Sequence, residues 1–527
     1  MGCRNAVAIA LLAAALWVMT TACPAVAADG ASVTTVPGAP SYGALVPGPD
    51  GLLWHAETAA GGPPATRIVR VGAGGVGVTT VPDVTPFWGA EPRLLLDGAM
   101  GLVVRYFDEV IDGWDLDGLA LLRLASDSGA VASVRRLPDT VSRAVSAAVA
   151  PDGAVWFALC NNGLARLAPD GRLTSVPLPS LRCNPDSNDV RPGLEFAFDP
   201  TGAVWFANFC AGRMARVSPS GRARKWDVVR AGCGFYSVST MLAADPLGGV
   251  FYAASGGESD GSGRIHDGRV VRFSSYGAGA FTSDGALWRV FRGGIERRDA
   301  GGSTTVFRAP DALRALSDPV PARGGGVAVV RANYWRTDPN YDPHNPPANA
   351  HLDGHVAILR PDGSQTRWSL PDRGTDAPTQ LSHAALALGP DGAFYVRETR
   401  VAESYLDLSS RLLRVLPDGL VPPRTPVARV STVLGRVGRV AWLQLACDAE
   451  LAHFCLGTVR LTGRGVSRAP AQFALAGSSR GAVRVALDDR GLRLLQRDGA
   501  LRTTVVVRTD GGLVTRQPVR IDSVRPR

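Results

Sequence analysis

An all-β chain assembled from repeated four-stranded sheets is what this 527-residue sequence predicts, and three observations predict it. Gly (61) and Pro (38) are abundant while aromatic residues make up 7%, which is a turn-rich composition. Eight segments share one pattern of turn followed by apolar strand: "PDGLLW" at 49, "LDGAMGLVV" at 96, "PDGAVWF" at 151, "PTGAVWF" at 200, "PLGGVFY" at 246, "SDGALWRV" at 283, "ARGGGVAVV" at 322 and "PDGAFYV" at 390. A second hairpin follows each, as in "ARLAPDGRLTSVPLP" at 165 and "AILRPDGSQTRWSLP" at 357. Asp-Gly between strand-like runs marks a hairpin, because Gly takes the positive φ that tight turns need. A four-stranded sheet repeating every ~40–50 residues cannot bury both faces alone. Packing such sheets around an axis does so, and predicts a β-propeller of eight blades, with seven as the alternative, over 31–425.

The elements follow in chain order. At the N-terminus, Arg4 precedes an apolar run from about Ala6 to Met19 and the small-residue exit Ala25-Val26-Ala27. That pattern predicts a secretory signal peptide over 1–27 and a secreted, extracellular protein, the run being short for a membrane-spanning helix. "TTAC" ending at Cys23 offers a second possibility, lipid anchoring through that cysteine. The following stretch, "ASVTTVPGAP", resembles the outer strands "GVTTVPDV" and "LTSVPLPS". It is expected to complete the last blade, whose own "LPDGLVPPRTP" is a poor outer strand, and so to clasp the ring. In the fifth blade "GRVVRFSSYG" runs almost directly into the next repeat, leaving little room for an outer strand. From Pro426 to 527 the turn pattern stops and alternating strands begin, which suggests an immunoglobulin-like β-sandwich with one helical turn at 490–499.

Six cysteines remain beyond the leader, an even number suited to an oxidising compartment. Cys160 and Cys210 close equivalent strands, and Cys183 and Cys233 follow the outer strands of the same blades. The spacing predicts Cys160–Cys183 and Cys210–Cys233, with Cys183–Cys210 and Cys160–Cys233 as the alternative pairing, and Cys447–Cys455 in the C-terminal domain.

The net charge of +9 comes from arginines scattered along the repeats without a basic run, so no nucleic-acid partner is expected. No later segment suits a transmembrane helix, and a monomer is expected. The strand tryptophans Trp54, Trp156, Trp205 and Trp288 recur at one repeat position and are read as packing between blades. Insertions at 107–118, 256–268, 333–355 and 397–410 all fall between the second and third strands, which places them on one face of the disc. Such a face commonly binds the ligand. The longest insertion supplies Tyr334, Trp335, Asp342, His344, His351 and His355 as candidate ligand-binding residues for a small molecule, a peptide or a cell-envelope ligand. Asp108, Asp112, Asp115 and Asp117 are candidate Ca²⁺ ligands, although their spacing is not that of an EF-hand.

The units "GPDGLLWHAE", "APDGAVWFALCNNGLARLAPDGRLTSVPLP" and "DPTGAVWFANFCAGRMARVSPSG" resemble the repeats of the virginiamycin B lyase (streptogramin lyase) family over about 40–420, the C-terminal domain lying outside it. The resemblance implies a Mg²⁺-dependent lyase that opens a cyclic depsipeptide at its ester by elimination. In that chemistry a histidine base removes the proton while the metal stabilises developing charge. The family's blades carry a His leading the first strand and a Glu ending the second, fourteen positions on. Here Glu57 and Glu398 occupy the Glu position. Gly43 and Ala384 stand fourteen residues before them, with His383 one residue early. The resemblance therefore implies His383, Glu398 and Glu57 as candidate catalytic residues. Two functions result: ligand binding on the loop-bearing face, and a streptogramin-type lyase or other small-molecule enzyme on the same face.

Overall fold

The computed structural model describes the strands and tight turns between Ala31 and Asp522; residues 1–30, 37–44, 82–92, 107–117, 179–193, 229–238, 256–260, 335–351, 372–379, 402–407, 418–426 and 523–527, with shorter pieces between strands, lie outside the described residues. Eight antiparallel sheets follow one another from residue 46 to residue 417. The first strands of successive blades neighbour one another around the axis, and the fourth strands are largely exposed, as in Val131–Arg136 and Ala223–Asp227. This is an eight-bladed propeller. Its last blade runs Gln380–Leu388, Phe394–Val401, Leu408–Pro417, and takes its fourth strand from the N-terminus: Ala31–Val36 pairs antiparallel with Leu408–Pro417, from Ala31 opposite Pro417 to Val36 opposite Leu412. The clasp expected from the sequence is present.

Each first turn is held the same way. In blade 4, Asp199 N bonds to Ala203 O and Gly202 N returns to Asp199 O, with Gly202 at φ 82°. Blades 3, 5, 6, 7 and 8 repeat this arrangement at Ala150, Asp245, Thr282, Ala322 and Gly389, the return bond being seen in all but blade 7. The turns are therefore local, and Gly153, Gly202, Gly248, Gly285, Gly325 and Gly392 are needed for their φ of 74–104°.

The fifth blade corrects the sequence reading. Gly261–His266, expected within an insertion, is the third strand, and Arg269–Phe273 is the fourth. The connecting turn is Asp267-Gly268, with φ 49° and 76°, the two-residue hairpin geometry. "GSGRIH" lacks the β-branched residues that announce a strand, but its register sets Arg264 opposite Phe251.

The C-terminal domain is a two-sheet sandwich. One sheet orders Val427–Val437, Val440–Asp448 and Arg480–Ala486; the other orders Ala471–Ala476, Phe454–Thr462, Ala500–Thr509 and Val514–Asp522. Leu443, Leu445, Phe473, Val483, Val505 and Ile521 meet in its core. The Cys447–Cys455 disulfide lies in the same core, Cα to Cα 5.6 Å. The helical turn is a full helix, α1 (Asp489–Asp498). Asp488 caps it by accepting from Gly491 N, Gly499 ends it at φ 69°, and Leu495 is buried beneath it.

The sandwich rests on the turns of blades 3 and 4. Gln444 donates Nε2 to Pro200 O at 2.7 Å in a buried bond. A Cβ on Gly202 would meet the Trp442 ring at 2.8 Å, and one on Gly481 would meet Pro151 at 2.7 Å. Strand alternation puts these turns on one face of the disc and the connections between second and third strands on the other. The sandwich thus occupies the face opposite the long insertions.

Candidate functional site

A recurring charge motif organises the turn face. An aromatic residue on the second strand stands opposite an arginine on the third: Trp54–Arg70, Trp156–Arg166, Trp205–Arg216, Phe251–Arg264, Trp288–Arg297 and Tyr395–Arg414. The arginine reaches a turn carboxylate, pairing with Asp152 (2.7 Å), Asp199 (2.8 Å), Asp245 (2.7 Å), Asp284 (3.0 Å) and Asp391 (2.8 Å) in blades 3, 4, 5, 6 and 8. Asp199 is fully buried and also accepts from the backbone N of Thr201 and Ala203 and from Trp205 Nε1 at 3.0 Å. These arginines, scattered in the sequence, are fastenings of individual blades, and several lie over the aromatic ring they oppose, as Arg216 does at 5.8 Å from the Trp205 centroid.

Three positions farther along the second strand, toward the loop-bearing face, the residue type varies: Glu57, Leu159, Asn208, Ala254, Phe291, Arg331 and Glu398. The polar and charged members of consecutive blades 7, 8 and 1 are Arg331, Glu398 and Glu57. Glu398 is 3% exposed and ion-paired with Nε of Arg411, whose other arm donates to Pro371 O at 2.6 Å. The ladder sets Ala384 opposite Glu398 and His383 opposite Thr399. A bulge lies between Leu381 and His383, so it does not bring His383 into register with Glu398. Glu57 stands opposite Arg67 in the ladder.

The longest insertion is shorter than the sequence suggested, because Val327–Tyr334 and Leu352–Leu359 extend into it and pair as far as Tyr334 opposite Leu352. His355, read as a loop residue, is a strand residue opposite Arg331 and 8% exposed. Trp335, Asp342, His344 and His351 lie outside the described residues, as do Cys160, Cys183, Cys210, Cys233 and Asp108, Asp112, Asp115 and Asp117. Among the described residues no three His, Cys, Asp or Glu side chains converge as a metal site, and Glu398 already holds Arg411. Those residues do not fit the Mg²⁺ centre that a lyase of this kind would use.

The sequence reading missed Arg331 itself. Blade 7 departs from the motif throughout: Ala322 and Gly324 occupy the two turn positions at which other blades carry the acid, and Ala328 and Ile358 stand where the aromatic and the arginine stand. The departure was visible as the missing Asp in "ARGGGVAVV". Arg331 is 2% exposed, and burial, reinforced by the Arg367 charge, pulls its guanidinium down to about 10.

No protein-family model matches the chain, and no characterised protein matches its sequence. Among solved structures, it is similar to a catalytically inactive virginiamycin B lyase from Staphylococcus aureus with quinupristin, at 16% identity over 63% of this chain and 98% of that one, TM-score 0.32. It is also similar to YCF48 bound to D1 peptide (14% identity, 75% and 99% covered, TM-score 0.36) and to the WD40 domain of SCAP from fission yeast (9% identity, 75% and 91% covered, TM-score 0.29). At these TM-scores the likenesses carry no argument about chemistry, and the propeller rests on the chain's own sheet order. No helix among the described residues is long and apolar enough to cross a membrane.

Proposed function

We propose that the protein is an exported β-propeller that binds a small molecule, peptide or cell-envelope ligand through the face carrying the insertions between second and third strands. The observation that carries this reading is the placement of the sandwich. Gln444, Trp442 and Gly481 cover the turns of blades 3 and 4, so the sandwich leaves uncovered the opposite face, from which 107–117, 335–351 and 402–407 leave the sheets. Export is supported by the leader-like N-terminus and by the Cys447–Cys455 bridge. The clasping strand begins at Ala31, just beyond the expected cleavage after Ala27 or Ala28. Binding is favoured over elimination at His383 and Glu398 because the Glu398 carboxylate is engaged by Arg411 and out of register with His383.

The test is a thermal-shift screen of the secreted protein against cyclic depsipeptides, short peptides and oligosaccharides, with Mg²⁺, Ca²⁺ or EDTA. It is repeated on a variant whose 335–350 segment is a short Gly-Ser linker. The reading expects stabilising ligands whose effect is lost in the linker variant and kept in Gln444→Ala. Ligands indifferent to the linker would contradict it. Ring opening of a depsipeptide, abolished by Glu398→Gln, would establish the lyase reading instead.

A further inference from the structure

Among the described residues of blade 7, two guanidinium groups stand without a carboxylate partner. Arg331 donates Nη1 to Gln365 Oε1 at 3.3 Å, and Arg367 donates Nε and Nη2 to the same oxygen at 3.3 and 3.0 Å. Arg331 Nε has no hydrogen-bond partner. Among the described residues, neither arginine has an acidic partner. One neutral amide oxygen is therefore the shared acceptor of two like charges, one of them buried. A buried cation of this kind is strongly unfavourable unless an anion neutralises it. Elsewhere in the molecule the chain supplies that anion itself, as Asp199 does for Arg216 and Glu398 for Arg411.

Strand alternation places Arg331 on the same face of blade 7 as Val327, Val329, Ala357 and Leu359, which pack on Trp288 and Ile295 of blade 6. Gln365 and Arg367 lie on the outermost strand, Gln365–Ser369, and are half-buried, so they open the seam toward the rim of the disc. We propose that the seam between blades 6 and 7 is an oxyanion-binding site in which Arg331 and Arg367 clamp a carboxylate, sulfate or phosphate group of a ligand while Gln365 holds the two guanidiniums in place. Planar guanidinium forks suit such groups because two parallel N–H bonds match two oxygens. Inorganic anions probe this site directly, so its test is separate from the ligand screen on the loop-bearing face.

The experiment is thermal melting and calorimetric titration of the full chain with sulfate, phosphate and succinate against chloride at equal ionic strength. Wild type, Arg367→Met, Arg331→Met and Gln365→Glu are compared. A saturable, anion-specific rise in Tm is expected for wild type, with affinity about tenfold or more weaker in either arginine variant. The strongest of the three anions identifies whether a tetrahedral oxyanion or a carboxylate is preferred. Gln365→Glu places a carboxylate between the guanidiniums, so it should melt higher in anion-free buffer and lose the anion response. A wild-type protein that shows only the ionic-strength effect would overturn the proposal. So would variants that respond as wild type does.

Discussion

In blade 4 the buried Asp199 gathers Arg216, Trp205 Nε1 and two backbone amides around one carboxylate. In blade 7 the equivalent positions are Ala322, Ile358 and Ala328, and the charges are Arg331 and Arg367 on the face toward blade 6, which among the described residues share Gln365 as acceptor. The two sheets share strand order and the first bond of the turn, Asp199 N to Ala203 O in one and Ala322 N to Gly326 O in the other, so backbone architecture does not require either arrangement. What differs is whether the chain neutralises its own charge. Blade 4 closes its electrostatics internally and gains a rigid turn on which the sandwich rests. Blade 7 shows no such carboxylate among its described residues, which is why it, rather than the more regular blades, is where the proposed anion is sought.

The largest expected effect comes from opening the blade 4 hub. Asp199→Ala leaves the Arg216 charge and the Trp205 N–H without their acceptor and should cost about 3–5 kcal/mol, read as a fall in Tm and a lower denaturant midpoint. A loss below about 1 kcal/mol would show that the motif is ornamental to stability.

The motif also gives an alkaline limb in blade 8. Burial first, and then the neighbouring Asp391 charge, push the Tyr395 hydroxyl up to about 12. A folded value above the unfolded one means stability that is complete below pH 10 and drains as pH rises from 10 toward 12, by roughly 1–2 kcal/mol. Tyr395→Phe should flatten that limb in a pH series of melts. An unchanged limb would remove Tyr395 from the account.

Gln444→Ala, which deletes the buried bond to Pro200 O, should cost about 1 kcal/mol and raise hydrogen exchange in the turns of blades 3 and 4 alone. Exchange unchanged there would mean that apolar contact alone seats the sandwich. The smallest effect belongs to Asp284. Burial raises its carboxyl, but hydrogen bonds from Thr282, Ala286 and Arg297 outweigh this and hold it below the ordinary carboxylate value. Its contribution is present above about pH 4 and lost as pH falls through the lowered value, so Asp284→Asn should melt slightly lower at pH 7 and converge with wild type in acid, with a flatter acid limb.

Blade number and the clasp were legible in the sequence because both rest on local chemistry: the Gly of each first turn, and the likeness of "ASVTTV" to other outer strands. The third strand of blade 5 was not legible, since Gly261–His266 earns its place through register with Phe251 and the Asp245–Arg264 pair rather than through β propensity. The Arg–Asp fastenings join a turn to a third strand 13 to 23 residues on, as Asp284–Arg297 and Asp391–Arg414 do, and become visible once the sheets are assembled. The candidate His383–Glu398 pair illustrates the opposite limit. Its spacing matches a pattern nearly, but a one-residue offset in a ladder is a different partner, and Arg411 has taken the carboxylate.

The most direct test of unequal charge use in the two blades is a paired melt in anion-free buffer of Arg331→Met and Arg216→Met. Removing a buried charge that has no counterion should leave Tm unchanged or higher, whereas removing the partner of Asp199 should lower it clearly. If Arg331→Met instead falls as far as Arg216→Met, then Arg331 is a structural residue as Arg216 is, and blade 7 holds no vacant charge for a ligand to meet.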